Sequence, residues 1–177
     1  ERNTMRLLDL TNQLLDFRKT EAQGFQLNFM ICDISQLIKD TYIRFDPAAK
    51  QNDLTFKIGL PEQNFNAAVD KEALTKILSN LFNNAVKYAK SYIHVSLHAP
   101  TDEQNDFFSI TVSNDGLPIP VEMKEKIFEP FVQIKNVSNG QTKTGTGIGL
   151  PLARSLTELH RGKLYLKDSD DICFCIE

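Results

Sequence analysis

Residues 70 to 90 read DKEALTKILSNLFNNAVKYAK, and two patterns run through them at once. Leu74, Ile77, Leu78, Leu81 and Ala85 recur at spacings of three and four, which predicts a helix capped by Asp70 with one buried face. Asn80, Asn84 and Lys87 keep the same period on a different face. Asparagine is a mediocre helix former, because its side chain competes for the backbone, so two of them one turn apart inside a helix call for a reason. A carboxamide oxygen is a hard neutral ligand suited to Mg²⁺, and a lysine one turn further on reaches phosphate oxygens. A merely solvated polar face is the alternative reading of this helix taken alone.

Working outward, the flanking segments alternate between strand and helix without strict order. Upstream, residues 2 to 20 carry Leu7, Leu10, Leu14 and Phe17 at spacings of three, four and three, widened by Leu8 and Leu15. That seam predicts a long helix that wants a partner, either its own domain or a bundle, with the bundle slightly favoured. The chain opens inside this helix without a cap, which predicts a piece of something larger. Residues 25 to 32 read as a strand, Asp33 as the N-cap of a helix to about Phe45, and residues 54 to 60 and 65 to 69 as short strands. Downstream, residues 91 to 99 and 106 to 113 are predicted strands, residues 122 to 128 a short helix, 129 to 146 a polar loop, 152 to 160 a helix, and 163 to 167 and 172 to 176 closing strands. This order predicts an α+β fold: a two-layer α/β sandwich with a mixed, mostly antiparallel sheet, helices on one face, and one long helix in front.

Two loops carry chemical promise. Asn114, Asp115 and Gly116 open NDGLPIP at the end of a predicted strand, a common place for binding residues. Further on, Gly140, Gly145, Gly147 and Gly149 make up half of the chain's eight glycines. They lead through TGTGIGL, residues 144 to 150, into a helix. A long polar loop that ends in glycines and a helix N-terminus describes a lid over a phosphate.

The 177 residues suffice for one ordinary domain and an appended helix. A hydrophobic content of 41% and charged content of 24% are those of a globular protein, and no run is long enough to span a bilayer. No signal-peptide pattern is read. Twenty Lys and Arg against 23 Asp and Glu argue against a dedicated nucleic-acid or acidic-membrane surface. Cys32, Cys173 and Cys175 lack the spacing of a disulfide framework or zinc site and read as buried core thiols in a reducing compartment.

Taken in order, NLFNNAVKY, NDGLPIP, EKIFEPF and TGTGIGL resemble the N box, first glycine box, F box and second glycine box of sensor histidine kinase ATP-binding domains. These domains share a superfamily with DNA gyrase, the mismatch-repair ATPases and the large heat-shock chaperone. Each box is weakly specific; four in order are not a chance occurrence. The resemblance divides the chain into residues 1 to 24, similar to the second helix of a dimerisation domain, and 25 to 177, an ATP-binding catalytic domain. It implies ATP and Mg²⁺ as cofactors, with Asn84 on the metal, Asn80 beside the phosphates, Lys87 on phosphate and Tyr88 against adenine. The same resemblance puts Lys143 or Lys135, Thr144, Gly145, Thr146, Gly147, Ile148, Gly149 and Leu150 in the lid. Asn114 and Gly116 fall at the base, and Ile119 and Phe128 in the pocket lining or lid anchor. It further implies a homodimer through residues 1 to 22, a response regulator receiver domain as partner, no nucleic acid, and a cytoplasmic place, with a membrane reached only through other parts of the parent.

The pattern is departed from in four places. Asn114 aligns with the family's adenine-reading aspartate, and Pro118 with the second glycine of its box. A neutral amide still accepts the adenine hydrogen bond, at about half the strength of a carboxylate. Asp115 is a neighbour whose side chain should point the other way. Asn80 stands where hydrolysing relatives carry a glutamate base, and an amide takes no proton at neutral pH, which favours phosphoryl transfer over hydrolysis. The phosphoacceptor histidine motif is absent, and His94, His98 and His160 read as structural. Ile172 stands where a threonine is common. A protein serine kinase and a degenerate ATP-binding scaffold are the rival functions.

Overall fold

A computed structural model describes residues 2–21, 26–100, 107–134 and 145–177. The elements run α1 (Arg2–Glu21), β1 (Met30–Asp33), α2 (Ile34–Gln51), β2 (Thr55–Gly59), β3 (Asn66–Val69), α3 (Lys71–Tyr88), β4 (Tyr92–His98) and β5 (Ser109–Asn114). Two 3-10 turns, Val121–Met123 and Lys126–Phe128, lead to α4 (Gly149–Leu159), β6 (Leu164–Leu166) and β7 (Ile172–Ile176).

Five strands form one sheet in the order β2-β4-β5-β7-β6, parallel between β2 and β4 and antiparallel elsewhere, while β1 and β3 pair separately. The register sets Ile93 opposite Asn114, Val95 opposite Val112 and Leu97 opposite Ile110. It sets Ile172, Phe174 and Ile176 beside them on β7. These residues are all buried, so one face of the sheet is continuous core, and the helices cover it. The layered architecture is the one the sequence predicts.

Helix α3 runs through the middle of that layer. Ala73, Leu74, Ile77, Leu78, Leu81, Phe82 and Ala85 are buried on it. The ring of Phe82 meets Phe45 of α2 and Phe56 of β2 edge-on, at centroid distances of 5.9 and 5.3 Å. Each such side chain removed from water stabilises the fold by about 1.5–3 kcal/mol. At the other end of the layer Phe128 sits edge-on to Phe174, which ties the turns after β5 to the sheet.

Four expectations need correction. Only Met30–Asp33 of the segment predicted as a strand from residue 25 pairs; among the residues before it, the Asn28 N–H donates to the Asp70 carboxylate instead. Helix α2 continues past Phe45 through Pro47 to Gln51, because proline costs one helical hydrogen bond while Ala49 gains full burial. Residues 122 to 128 form two 3-10 turns, which bury Ile127 and Phe128 without a continuous helix. Finally, Cys32 lies in the core as expected, but Cys173 and Cys175 alternate with the inward residues of β7 and so face away from the helices. Cys175 is nevertheless buried there, opposite Tyr165, and all three cysteines are free.

Candidate functional site

The N-terminus of α3 is closed by its own neighbours. Asp70 accepts from the Ala73 N–H at 2.9 Å and the Asn28 N–H at 2.8 Å. Burial pushes its carboxyl up, but these backbone hydrogen bonds outweigh it and hold the group below its ordinary value. His160 accepts from the Asp70 N–H on Nε2 at 3.1 Å and donates from Nδ1 to the Leu156 carbonyl at 2.7 Å. His160 thus ties the end of α4 to the start of α3 as a structural ring. His94 and His98 lie exposed on the outer face of β4.

The C-terminal half of α3 is built differently. Asn80, Asn84 and Lys87 share a half-buried face, and Tyr88 is 38% exposed beside them. The first residue of α4, Gly149, approaches Asn80 so closely that a Cβ there would lie 3.0 Å from Oδ1. A side chain here would have to displace the Asn80 amide for the start of α4 to close on α3. Ile148 precedes α4 with no side-chain cap, and because Pro151 has no N–H, only Gly149 and Leu150 in the first turn offer N–H groups toward an anion. The Ile148 side chain itself is wholly buried, and its carbonyl accepts from the Leu152 N–H; Leu150 is half-buried.

The approach to α4 is pinned from two sides. Gly147 adopts φ 69°, and its carbonyl accepts from the Phe131 N–H at 2.8 Å; Phe131 is itself left-handed at φ 67°. A Cβ on Gly147 would lie 2.7 Å from the Phe131 Cα. Gly145 sits beside the Lys87 ammonium, which stands 4.7 Å over the Tyr88 ring, and its carbonyl accepts from Gln133. Thr146 donates to Gln13 of α1 at 3.0 Å and accepts from the Ile148 N–H at 3.3 Å. Lys135, Lys143 and Thr144 lie outside the described residues.

At the far end of this face, β5 delivers Asn114. Its side chain is 3% exposed, and Nδ2 has no hydrogen-bond partner among the described residues. Gly116 passes directly over it: a Cβ there would lie 2.7 Å from Asn114 Nδ2 and equally close to the Tyr88 carbonyl. Ile172 closes the same corner. Asp115 turns away, as alternation along the strand predicts, and accepts from the backbone N–H groups of Lys90, Ser91 and Tyr92 and from the Ser91 hydroxyl. Although burial raises its carboxyl, the Ser91 hydroxyl and these backbone hydrogen bonds hold it far below the usual carboxylate range. Tyr92 in turn donates to Asp171, a bond that pushes the phenol up to about 12.

Thus the structure brings Gly149 to Asn80 and, two turns further along α3, Gly145 to Lys87 and Gly116 to Asn114 and Tyr88, with Gly147 held against Phe131. Asn84 lies on α3 between them. Ile119 packs half-buried against the core. Phe128 is buried under the Arg154 guanidinium, 4.7 Å from the ring centroid, as an anchor rather than an open pocket wall. Gln13 and Gln133, which hold Thr146 and Gly145, carry no signal in the sequence, because both contacts join segments remote along the chain. Two cavities, of about 420 and 260 Å³, lie away from this site around β1 and the start of α3. Among the described residues no cluster of His, Cys, Asp and Glu could hold a metal ion. No helix among the described residues is long and apolar enough to cross a membrane.

Residues 69–177 match the family described as histidine kinase-, DNA gyrase B-, and HSP90-like ATPase. The chain belongs to that family, and its layered fold is the one histidine kinase catalytic domains share. It is similar to the sensor histidine kinase TmoS of Ectopseudomonas mendocina, with 36% identity over 96% of this chain and 17% of TmoS. Full-length ShkA in complex with AMPPNP superposes with a TM-score of 0.83 at 22% identity, over 97% of this chain and 35% of ShkA. Histidine kinase ThkA, in complex with response regulator protein TrrA, gives 0.76 at 21% identity over 99% of this chain and 47% of ThkA. The chain thus spans less than half the length of each of these relatives.

Proposed function

We propose that this chain binds ATP and Mg²⁺ and presents the γ-phosphate to a histidine on a dimerisation helix outside it, as the catalytic part of a two-component sensor kinase. The observation that carries this reading is the convergence on α3 of a phosphate end and a base end. At the first, Gly149 closes on Asn80 and Lys87 stands by Gly145; at the second, Asn114 is buried beneath Gly116.

In this reading Asn84 holds the metal, which neutralises phosphate charge when bound. Asn80 and Lys87 orient the phosphates, and the first N–H groups of α4 receive an anionic oxygen. Tyr88 and Ile119 shelter the base, and Lys143 and Thr144 extend the lid from Gly145 to Leu150. Asn80 cannot act as a base toward water, so transfer to an incoming imidazole is favoured over hydrolysis. Residues 1–24 belong to the dimerisation helix and 25–177 to the catalytic domain. The parent is a homodimer through α1 that passes its phosphate to a response regulator receiver domain. It works in the cytoplasm beneath a membrane anchor.

Calorimetry of the chain with AMPPNP tests the reading, with and without Mg²⁺. Metal-dependent binding is expected, with no phosphate appearing on the chain's own histidines when ATP replaces the analogue. Absence of binding at millimolar nucleotide would point to a scaffold. Acid-stable phosphate on an added partner would point to a serine kinase.

A further inference from the structure

The base end carries an uncommitted hydrogen-bonding group. Asn114 is 3% exposed, its Nδ2 finds no acceptor among the described residues, and the group lies under Gly116 beside the Tyr88 carbonyl. A buried amide donor left without a partner costs about 1–3 kcal/mol, so a ligand that supplies an acceptor is rewarded there. The neighbouring carboxylate does not compete for that role. Asp115 faces the start of β4 and is occupied by Lys90, Ser91 and Tyr92.

From this arrangement we infer that the base pocket takes 6-oxopurine nucleotides as well as 6-aminopurine nucleotides, with Asn114 as the residue that sets this breadth. The inference rests on the nucleotide-binding reading above. Its chemistry is that of the amide. A carboxylate at this position is acceptor-only: it takes the 6-amino group of adenine but meets the O6 of hypoxanthine as one acceptor facing another. A carboxamide turned over about its terminal torsion presents either edge. With Oδ1 toward the base it accepts from the 6-amino group. With Nδ2 toward the base it donates to O6. Because the side chain is neutral, neither orientation carries a charge repelled by O6. A pocket whose buried polar group is acceptor-only rejects a ligand lacking the matching donor by orders of magnitude, and Asn114 removes that basis for rejection.

ATP and ITP differ in the base at the 6-substituent and at N1, an acceptor in adenine and an N–H donor in hypoxanthine, so the pair probes this edge of the base and the change made at 114 assigns the effect to Asn114. The experiment is calorimetric titration of the 177-residue chain with each nucleotide in saturating Mg²⁺, repeated on Asn114→Asp. For the unaltered chain the two dissociation constants are expected within about tenfold of each other. In Asn114→Asp, ITP is expected to weaken at least about 100-fold relative to ATP, as a neutral donor is replaced by an acceptor-only group. An unaltered chain that binds ATP but prefers it over ITP by 100-fold or more overturns the inference and leaves the nucleotide-binding reading standing. A ratio unchanged by Asn114→Asp also overturns it, since the breadth then lies elsewhere. Binding of neither nucleotide removes both readings. Should Asn114→Asp fail to fold, Asn114→Ser supplies the second variant: the hydroxyl can both donate and accept, so the ratio stays within about tenfold, and a ratio beyond 100-fold counts against the inference.

Discussion

The two ends of α3 are built on opposite rules. At the N-terminus both carboxylate oxygens of Asp70 and its backbone N–H are occupied, by Ala73, Asn28 and His160, and Lys76 bridges Glu72 and Asp16 of α1. At the C-terminal half the close contacts are made by glycines, and the deepest polar group, Asn114 Nδ2, has no partner among the described residues. The polar groups of the first end are committed to the fold, whereas Asn114 Nδ2 at the second has no such commitment among the described residues. Saturated hydrogen bonds hold the first end to the fold, and the second end is where the proposed ligand would meet the chain.

The contrast is most sharply broken by Asn84→Ala. Loss of one hydrogen-bonding or metal-binding contact to a charged ligand is expected to weaken AMPPNP binding in Mg²⁺ by about 10- to 150-fold, read by calorimetry, while the melting temperature stays put. An unchanged metal dependence would remove Asn84 from the site. Gly147→Ala is next. A side chain at φ 69° against the Phe131 backbone is expected to cost about 2 kcal/mol, seen as a lowered denaturation midpoint together with weaker nucleotide binding. At the opposite end Asp70→Ala should cost about 1–2 kcal/mol of stability and leave the nucleotide dissociation constant unchanged. If it shifted affinity as strongly as Asn84→Ala, the division between the two ends would fail.

The smallest expected effect is on acid stability. Asp70 and Asp115 both titrate in the folded chain below their ordinary values, so they bind fewer protons there than in the unfolded chain. Their contribution is complete above the unfolded carboxyl value of about 3.9 and is lost as pH falls through and below it. Urea midpoints measured from pH 7 down to pH 3 should hold level and then decline. A midpoint that rose on acidification would contradict the hydrogen bonds assigned to these two groups.

Much of this was legible in the chain because it is local. The helical period of Leu74 to Ala85 placed both the buried face of α3 and the Asn80, Asn84 and Lys87 face, and residues 172 to 176 form the strand they predict. What failed was decided by tertiary partners. The pattern ends α2 near Phe45, yet burial of Ala49 carries it through Pro47 to Gln51; Cys173 and Cys175 read as buried thiols, and Cys175 is buried while the register with β5 leaves Cys173 part-exposed on the outer face. For the site, sequence spacing cannot say that Asp115 is consumed by Lys90, Ser91 and Tyr92, since those contacts join residues more than twenty positions apart, nor that Gly116 folds back over Asn114 against the Tyr88 carbonyl. The substitution at 114 is visible in the sequence; its empty hydrogen bond is visible only in the fold.

Thr146 has one hydroxyl and two obligations, to Gln13 on α1 and to the Ile148 N–H at the mouth of α4. A shift of α1 that draws Gln13 away therefore changes the setting of the loop that, in the proposed function, receives phosphate. Linkage makes the traffic two-way: whatever free energy the position of α1 adds to or takes from nucleotide affinity, the nucleotide returns to the position of α1 in equal measure. One hydroxyl group thus puts the long helix and the occupant of the cleft on a common equilibrium.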